Sequence, residues 1–209
     1  MVYRKIQSSY RHTGSGLERD FSRISYPYDR ANGKWKNSGG FLWSINQLIT
    51  GDWPCGTVLV LYISPLKALN NDVRRNLIDP LEELKTFFEE RDVPFPQIHV
   101  QTRSGDTPSS ERQKMMRRPP EILITTPESL NLLLTSSAAQ KILSGLSVVI
   151  LDEIHAVAAN KRGVHLISAI ERLTLINGEF QRIGLSATVH TPLVSCGVIY
   201  RWFLCKKSC

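Results

Sequence analysis

Short apolar runs alternate with amphipathic stretches between residues 41 and 189 of this 209-residue chain. The runs at 58–63, 122–124 and 148–151 are almost entirely aliphatic, which is typical of strands covered on both faces of a sheet. Two weaker runs of the same kind lie at 98–100 and 182–185. The pattern therefore predicts five short strands.

Two stretches between these strands have the spacing of helices. Between Leu69 and Glu90 the apolar positions recur at Leu77, Leu81, Leu84 and Phe88, with charged residues between them. The stretch from Val164 to Ile176 has the same character. Strands that alternate with helices predict an α/β fold, a mostly parallel sheet with helices on both faces. Ligands of such sheets bind at the carboxyl ends of the strands.

The two ends of the chain lose this alternation. Residues 1–40 are rich in Ser, Gly, Arg and Tyr without clear periodicity, and residues 190–209 have no recognisable pattern either. We therefore predict a core at 41–189, an aberrant N-terminal segment at 1–40 and an aberrant tail at 190–209.

The charge and hydropathy of the chain narrow the choice of partners. The net charge of +7 favours a polyanion, although many basic proteins bind no nucleic acid. The first ten residues lack the apolar core of a signal peptide. The longest apolar run, Val58 to Ile63, is too short to span a bilayer. We expect a cytoplasmic protein without a membrane partner.

An acidic motif, Asp152-Glu153-Ile154-His155, follows the run at 148–151. An Asp there can hold Mg²⁺ through its water shell, and the adjacent Glu can orient and deprotonate a water that attacks a γ-phosphate. His155 can relay the nucleotide state. The alternative is a chance acidic pair at a strand end. The candidate metal ligands are Asp152 and Glu153.

Two hydroxyl residues, Ser186 and Thr188, follow the next strand and could hydrogen-bond the acidic motif. Taken alone they indicate only a turn. About thirty residues after an acidic motif, they fit the spacing of helicase motifs. The candidate catalytic residues are therefore Asp152, Glu153, His155, Ser186 and Thr188.

Three loops after predicted strands have the chemistry of phosphate contacts. Each joins a strand to a helix whose first N–H groups can face an anion. Each could equally be ordinary helix N-capping. Together they would line one edge of the sheet with donors for a sugar-phosphate backbone. The candidate residues are Ser64, Pro65 and Lys67 in the first loop, Arg103 and Gly105 in the second, and Thr125, Thr126, Pro127 and Glu128 in the third.

This ordered set of motifs resembles the first RecA-like, DExH-box domain of superfamily 2 helicases, and in detail the large-helicase-related family. The matching segments are 63–72, 103–107, 125–130, 151–155 and Lys161-Arg162-Gly163. The resemblance implies a RecA-like fold and an ATP-dependent DNA helicase motor. It also implies the ligands ATP and Mg²⁺, a DNA or RNA partner, and a nucleic-acid contact at Arg162.

We do not find the sequence of the phosphate-binding loop that such a motor needs. It should end in Gly-Lys-Thr just before the helix that begins near Phe41. At that place Lys36 falls at the position of the phosphate lysine. Trp35, however, stands where the loop needs Gly, and Asn37 stands where Mg²⁺ needs a hydroxyl. The preceding central strand would have to come from Ser22 to Asp29, where Pro27 lacks an N–H donor, so we expect this strand to be degraded.

The genetic code offers an explanation for the missing loop. Trp35 has the single codon TGG, so one base later Trp35–Lys36 reads GGA, which encodes glycine. Permissible codons for residues 26–40 then spell Ile-Leu-Met-Ile-Ala-Pro-Thr-Ala-Ser-Gly-Lys-Thr-Leu-Ala-Gly. The hypothesis is that residues up to about 40 are translated out of frame, and that a second shift precedes the tail.

Three interpretations of the function remain. The first is a helicase-family ATPase domain, which by resemblance needs a second RecA-like domain that we do not find after Thr188. The second is a catalytically dead nucleic-acid-binding module. The third is the remnant of a damaged gene. We expect the chain to be inactive as an ATPase by itself.

Overall fold

The computed structural model describes residues 39–50, 53, 56–65, 67–158 and 161–185. At 39–42, 67–76, 80, 155 and 158 it describes the backbone alone. The chain divides into two units, and every described residue belongs to the second, Lys34–Cys209. The predicted central strand at 22–29 and the candidate phosphate lysine Lys36 lie outside the described residues.

Five strands form a single parallel sheet in the order β2-β3-β1-β4-β5. Every pairing is parallel, and β1 lies between β3 and β4. The strands are β1 (Val60–Ile63), β2 (Val100–Arg103), β3 (Ile122–Thr125), β4 (Val148–Leu151) and β5 (Gln181–Gly184).

One helix precedes β1, and the other helices connect the successive strands. The helices are α1 (Gly39–Thr50), α2 (Lys67–Glu89), α3 (Ser109–Arg117), α4 (Pro127–Leu133), α5 (Ser137–Ile142), α6 (Ile154–Ala158) and α7 (Lys161–Asn177). The two long helices form where the sequence has helical apolar spacing. In α2, the predicted apolar stripe is buried. The same holds in α7, where Leu166, Ile170 and Leu173 are buried.

The middle of the sheet is covered on both faces. All residues of β1, β3 and β4 are buried. On one face, Leu61, Leu123 and Val149 join a core cluster with residues of α4, α5 and α7. The side chains of Tyr62 and Ile150 point to the other face and are buried as well. This burial explains why the strands have continuous rather than alternating apolar sequences.

The predicted α/β fold with a parallel sheet is confirmed, with two corrections at its ends. The strand predicted at 98–100 begins only at Val100 and extends to Arg103. The strand predicted at 182–185 lies one residue earlier. Both strands lie at the ends of the described sheet and are only partly buried, so no aliphatic run marks their bounds.

Candidate nucleotide and nucleic-acid site

The carboxyl ends of the five strands lie at one edge of the sheet, because all the strands are parallel. Backbone hydrogen bonds continue the ladder beyond the strands. Ser64 N donates to Thr125 O at 3.0 Å, and Asp152 N donates to Ile63 O at 2.9 Å. The loops that carry the predicted motifs are therefore neighbours in space.

Asp152 is held from two sides at this edge. The Tyr62 hydroxyl donates a hydrogen bond to Asp152 Oδ2, and Glu153 N donates to Oδ1 at 2.8 Å. Both side chains are buried. Burial, together with the hydrogen bond to Asp152, raises the pKa of the Tyr62 hydroxyl far above its usual range, so Tyr62 acts as a donor. The carboxylate is thereby fixed in one orientation.

The next residue of the motif has an unusual backbone. Glu153 has a φ of 48°, in the left-handed region that side chains other than glycine seldom adopt. Such a conformation costs on the order of 1–3 kcal/mol, and it recurs at functional sites. The bend starts α6, because Ala156 N donates to Glu153 O at 2.8 Å.

The acidic motif, residues 152–155, packs against the end of β5. Ile154 N donates to Leu185 O at 3.2 Å. A methyl group at Gly184 would lie 2.6 Å from Ile154 Cδ1, so the contact leaves no room for a larger residue there without a shift of that side chain. For His155 only the backbone is described, and the predicted partners Ser186 and Thr188 lie outside the described residues.

At the start of α4, the predicted hydroxyl residues are used internally. The Thr126 side chain accepts a hydrogen bond from Ser129 N at 3.3 Å and caps the helix, with Pro127 in its first turn. Thr125 Oγ1 donates to Arg103 O at 2.8 Å. Thr125, Thr126 and Pro127 are all buried. Their side chains thus serve the packing of the loop, the alternative that the sequence left open for this motif.

Arg162, near the start of α7, joins two of the predicted loops. Its Nε donates to Glu128 Oε1 at 2.6 Å, and its Nη2 donates to Pro65 O at 2.8 Å. Partial burial alone would raise the pKa of Glu128, but the hydrogen bond and the charge of Arg162 lower it below its usual value. The same hydrogen bond raises the pKa of Arg162.

The loop after β2 contains two arginines. Arg112 of α3 donates to Gly105 O and to Thr107 O, both at 2.7 Å, and so fixes the turn. Within the described part of the chain, Arg103 Nε and Nη1 are buried and have no hydrogen-bond partner. Burial first, and then the charge of Arg112, lower the pKa of Arg103. Two neighbouring guanidinium groups make this end of the sheet favourable for an anion.

Three residues of the site were missed by sequence reasoning: Tyr62, Arg112 and Asn131. Asn131 Nδ2 donates to Pro127 O at 3.0 Å and to His165 O at 3.3 Å, which fastens α4 to α7. Tyr62 had a readable signal, because a hydroxyl inside an otherwise aliphatic strand needs a partner when it is buried. Arg112 and Asn131 had none, since their partners are backbone carbonyls.

The acidic pair fits the modest requirements of Mg²⁺. This ion keeps several waters and is held through one or two carboxylates together with phosphate oxygens. Asp152 and Glu153 supply two adjacent carboxylates at the sheet edge. Among the described residues no cluster of three or more His, Cys, Asp or Glu side chains could hold a metal ion.

For Lys67, the candidate phosphate contact at the start of α2, only the backbone is described.

Comparisons with known proteins identify the family of this chain. A model of the DEAD/DEAH box helicase family matches residues 39–194. ATP-dependent helicase Lhr-Core protein 2 of Thermococcus barophilus is 48% identical over 162 residues, which cover 76% of this chain and 19% of that protein. The Lhr helicase/probable uracil glycosylase of Mycolicibacterium smegmatis is 51% identical over 162 residues, covering 77% of this chain and 11% of that protein.

The fold has a solved counterpart. The structure of Mycobacterium smegmatis helicase Lhr bound to ssDNA and AMP-PNP matches with a TM-score of 0.68 and 53% identity, over 73% of this chain and 19% of that one. The five-stranded parallel sheet, with its motifs at the strand ends, is therefore a RecA-like helicase domain.

The chain belongs to the DEAD/DEAH box helicase family, whose model matches most of its length. The predicted resemblance to the first RecA-like domain of large-helicase-related proteins is confirmed. The chain spans 19% and 11% of the length of the two curated relatives. Among the described residues, no helix has both the length and the apolar character needed to cross a membrane.

Proposed function

We propose that this chain is the first motor domain of an ATP-dependent DNA helicase and that it binds a nucleic-acid backbone along its strand-end edge. The observation that carries the proposal is the meeting of Asp152, fixed by Tyr62 and Glu153 N, with the three motif loops at one edge of the sheet. Support for the proposal comes from the parallel sheet, in which the candidate residues for the nucleotide and those for the nucleic acid follow strands that end at the same edge.

On the nucleotide side, Asp152 would hold Mg²⁺ through its water shell, and Glu153 would orient and deprotonate the attacking water. Mg²⁺, when bound, neutralises charge on the phosphates. His155, Ser186 and Thr188 would relay the nucleotide state to the rest of the domain. The ATP phosphates would sit at the loop that contains Lys36.

On the nucleic-acid side, the first turns of α2 and α4 and the turn at Gly105 would contact phosphates. Ser64, Pro65 and Lys67 belong to the first of these positions, and Arg103 to the last. Because Thr125, Thr126 and Pro127 are buried, their contribution would come from the backbone at the start of α4. Such contacts position a nucleic-acid strand without recognising its sequence, so both DNA and RNA could be bound.

For this chain by itself, we propose binding without hydrolysis, in the cytoplasm. Trp35 and Asn37 replace the Gly and the hydroxyl residue that a phosphate loop requires. We further propose that residues 1–40 and 190–209 derive from shifted reading frames around a native core at 41–189. A second RecA-like domain would be needed to close the nucleotide site.

The purified chain tests this function directly. We expect the chain to bind single-stranded DNA, with log K falling linearly with log[salt] when binding is measured by fluorescence anisotropy. We expect no DNA-stimulated release of phosphate from ATP. Arg103→Gln should weaken binding and reduce the salt slope by about 0.7. Lys141→Gln, which removes an exposed charge near the amino ends of the strands, should leave both unchanged.

The outcomes separate the three interpretations. DNA-stimulated hydrolysis would show an active ATPase and refute the proposal that this chain binds without hydrolysis. Absence of salt-dependent binding would refute the nucleic-acid function and favour a gene remnant. The nucleotide sequence of the locus tests the frameshift separately, since the hypothesis fails if the shifted frame does not encode Gly-Lys-Thr at codons 35–37.

A further inference from the structure

Arg162 lies where three parts of the strand-end edge meet. Its helix α7 follows the DExH segment, its Nη2 reaches Pro65 O in the loop after β1, and its Nε reaches Glu128 in the first turn of α4. The strands β1 and β3 that lead into those two loops are paired neighbours. One guanidinium group therefore connects the ends of two adjacent strands with a helix from a third segment.

The electrostatics of this pair oppose a phosphate contact at Arg162. Glu128 Oε1 lies 2.6 Å from Arg162 Nε, so the two charges largely cancel outside the pair. A phosphate that approached Arg162 would also approach the Glu128 carboxylate and be repelled by it. The guanidinium already donates to a carboxylate and to a backbone carbonyl, a planar arrangement that suits Arg and that Lys cannot reproduce.

A second contact beside the pair holds the same two helices. Asn131 Nδ2 donates to carbonyls in both α4 and α7, Pro127 O and His165 O. A shallow pocket lined by Pro127, Glu128, Asn131, Arg162 and His165 lies over this junction. The α4–α7 junction is thus held by an ion pair and by a neutral hydrogen-bonded bridge.

We propose that Arg162 and Glu128 are positioning residues: they tie the β1–α2 loop and the start of α4 at the spacing that a nucleic-acid backbone requires, and neither side chain contacts the phosphates. The proposal rests on the nucleic-acid function proposed above. It replaces the direct contacts that the loop pattern predicted for Glu128 and that the family resemblance implied for Arg162.

The direction in which one substitution changes the affinity for DNA distinguishes a positioning role from a direct phosphate contact. Glu128→Gln removes a negative charge from the edge. If Arg162 binds phosphate directly, this change strengthens DNA binding, because Arg162 is released from its partner. If the pair is a tie, Glu128→Gln weakens binding roughly twofold to fivefold, the scale expected for a solvent-exposed ion pair.

Arg162→Gln and Arg162→Lys supply the complementary readouts. The tie predicts that both variants bind single-stranded oligothymidine with the same modest loss, and that the slope of log K against log[salt] is unchanged. A direct phosphate contact predicts that Arg162→Gln reduces the slope by about 0.7 and that Arg162→Lys stays close to the unaltered chain. Lys141→Gln serves again as the charge control, away from this edge.

A double-mutant cycle on urea unfolding tests the pair without DNA. We expect the losses of Arg162→Gln and Glu128→Gln to be less than additive, because each removes the same interaction. Additive losses, or stronger DNA binding by Glu128→Gln, would overturn the tie and leave the proposed function standing. If the unaltered chain shows no salt-dependent DNA binding, the proposed function fails, and with it the role of the tie in binding.

Discussion

Tyr62 is the one polar side chain of β1, and its hydroxyl donates to Asp152 Oδ2. Tyr62→Phe removes this donor and keeps the ring. Because it leaves a buried carboxylate oxygen with one partner fewer, we expect a loss of about 1.5–3 kcal/mol in the free energy of unfolding. Urea denaturation followed by circular dichroism measures it.

The control for this prediction is the same substitution in a second background. In Asp152→Asn the acceptor is no longer charged, so Tyr62→Phe should cost less there. Equal losses in the two backgrounds would mean that the hydrogen bond contributes nothing specific.

Glu128 gives the site a pH dependence of stability. Its pKa is lowered in the folded chain relative to 4.5, so its contribution is present above about pH 4.5 and is lost as the pH falls through the folded value. Both partners are about half exposed, which limits the contribution to about 0.2–1 kcal/mol. The urea midpoints of the chain and of Glu128→Gln should differ at neutral pH and converge in acid. A difference that persists unchanged at low pH would contradict this account.

At the scale of a single element, the stability of helix α4 depends on its N-cap residue, Thr126. Thr126→Ala removes the oxygen that accepts from Ser129 N and should cost about 1 kcal/mol. Thr126→Ser keeps that oxygen and should retain most of the stability. Thermal unfolding of the two variants checks the prediction, and similar losses in both would show that the methyl group of Thr126, rather than its hydroxyl, matters here.

A comparison of the predicted strands and helices with the observed ones shows which parts of this fold can be predicted from the sequence. The aliphatic runs of β1, β3 and β4 predicted their strands because burial on both faces requires such sequences. Strand β2 was misplaced since Gln101, Thr102 and Arg103 carry no apolar signal at the end of the sheet. The short helices α5 and α6 were not predicted, because one or two turns are too few to establish a periodicity.

The sequence predicted which edge of the sheet carries the candidate residues but not the contacts between their side chains. Their positions after predicted strands placed Asp152 and Glu128 at one edge of the sheet, and the family resemblance added Arg162. Neither could reveal that Arg162 pairs with Glu128, because residues 34 positions apart meet only through packing of α4 on α7. Likewise, nothing in the sequence distinguishes a threonine that caps a helix from one that faces a ligand.

At the scale of the whole molecule, Mg²⁺ should stabilise the chain if Asp152 and Glu153 hold it in the folded state alone. At ten times its dissociation constant the ion would add about 1.4 kcal/mol to the free energy of unfolding. Urea midpoints measured with MgCl₂ and with KCl at equal ionic strength give the comparison, and EDTA should reverse the gain.

Two carboxylate variants locate that effect. Asp152→Asn should abolish the stabilisation by Mg²⁺, whereas Asp79→Asn, an exposed carboxylate on α2, should leave it intact. A gain that survives Asp152→Asn would place the ion elsewhere and remove the support for a magnesium role of the acidic motif.

The left-handed backbone of Glu153 sets stability against activity at one position. Glycine would adopt that conformation without penalty, so random substitution screened for heat resistance should favour its replacement there. The replacement would lack the carboxylate to which we assign the orientation of the attacking water. Under the role that we propose for Glu153, a related chain with glycine or asparagine at this position would keep the fold and gain stability but lose ATP hydrolysis.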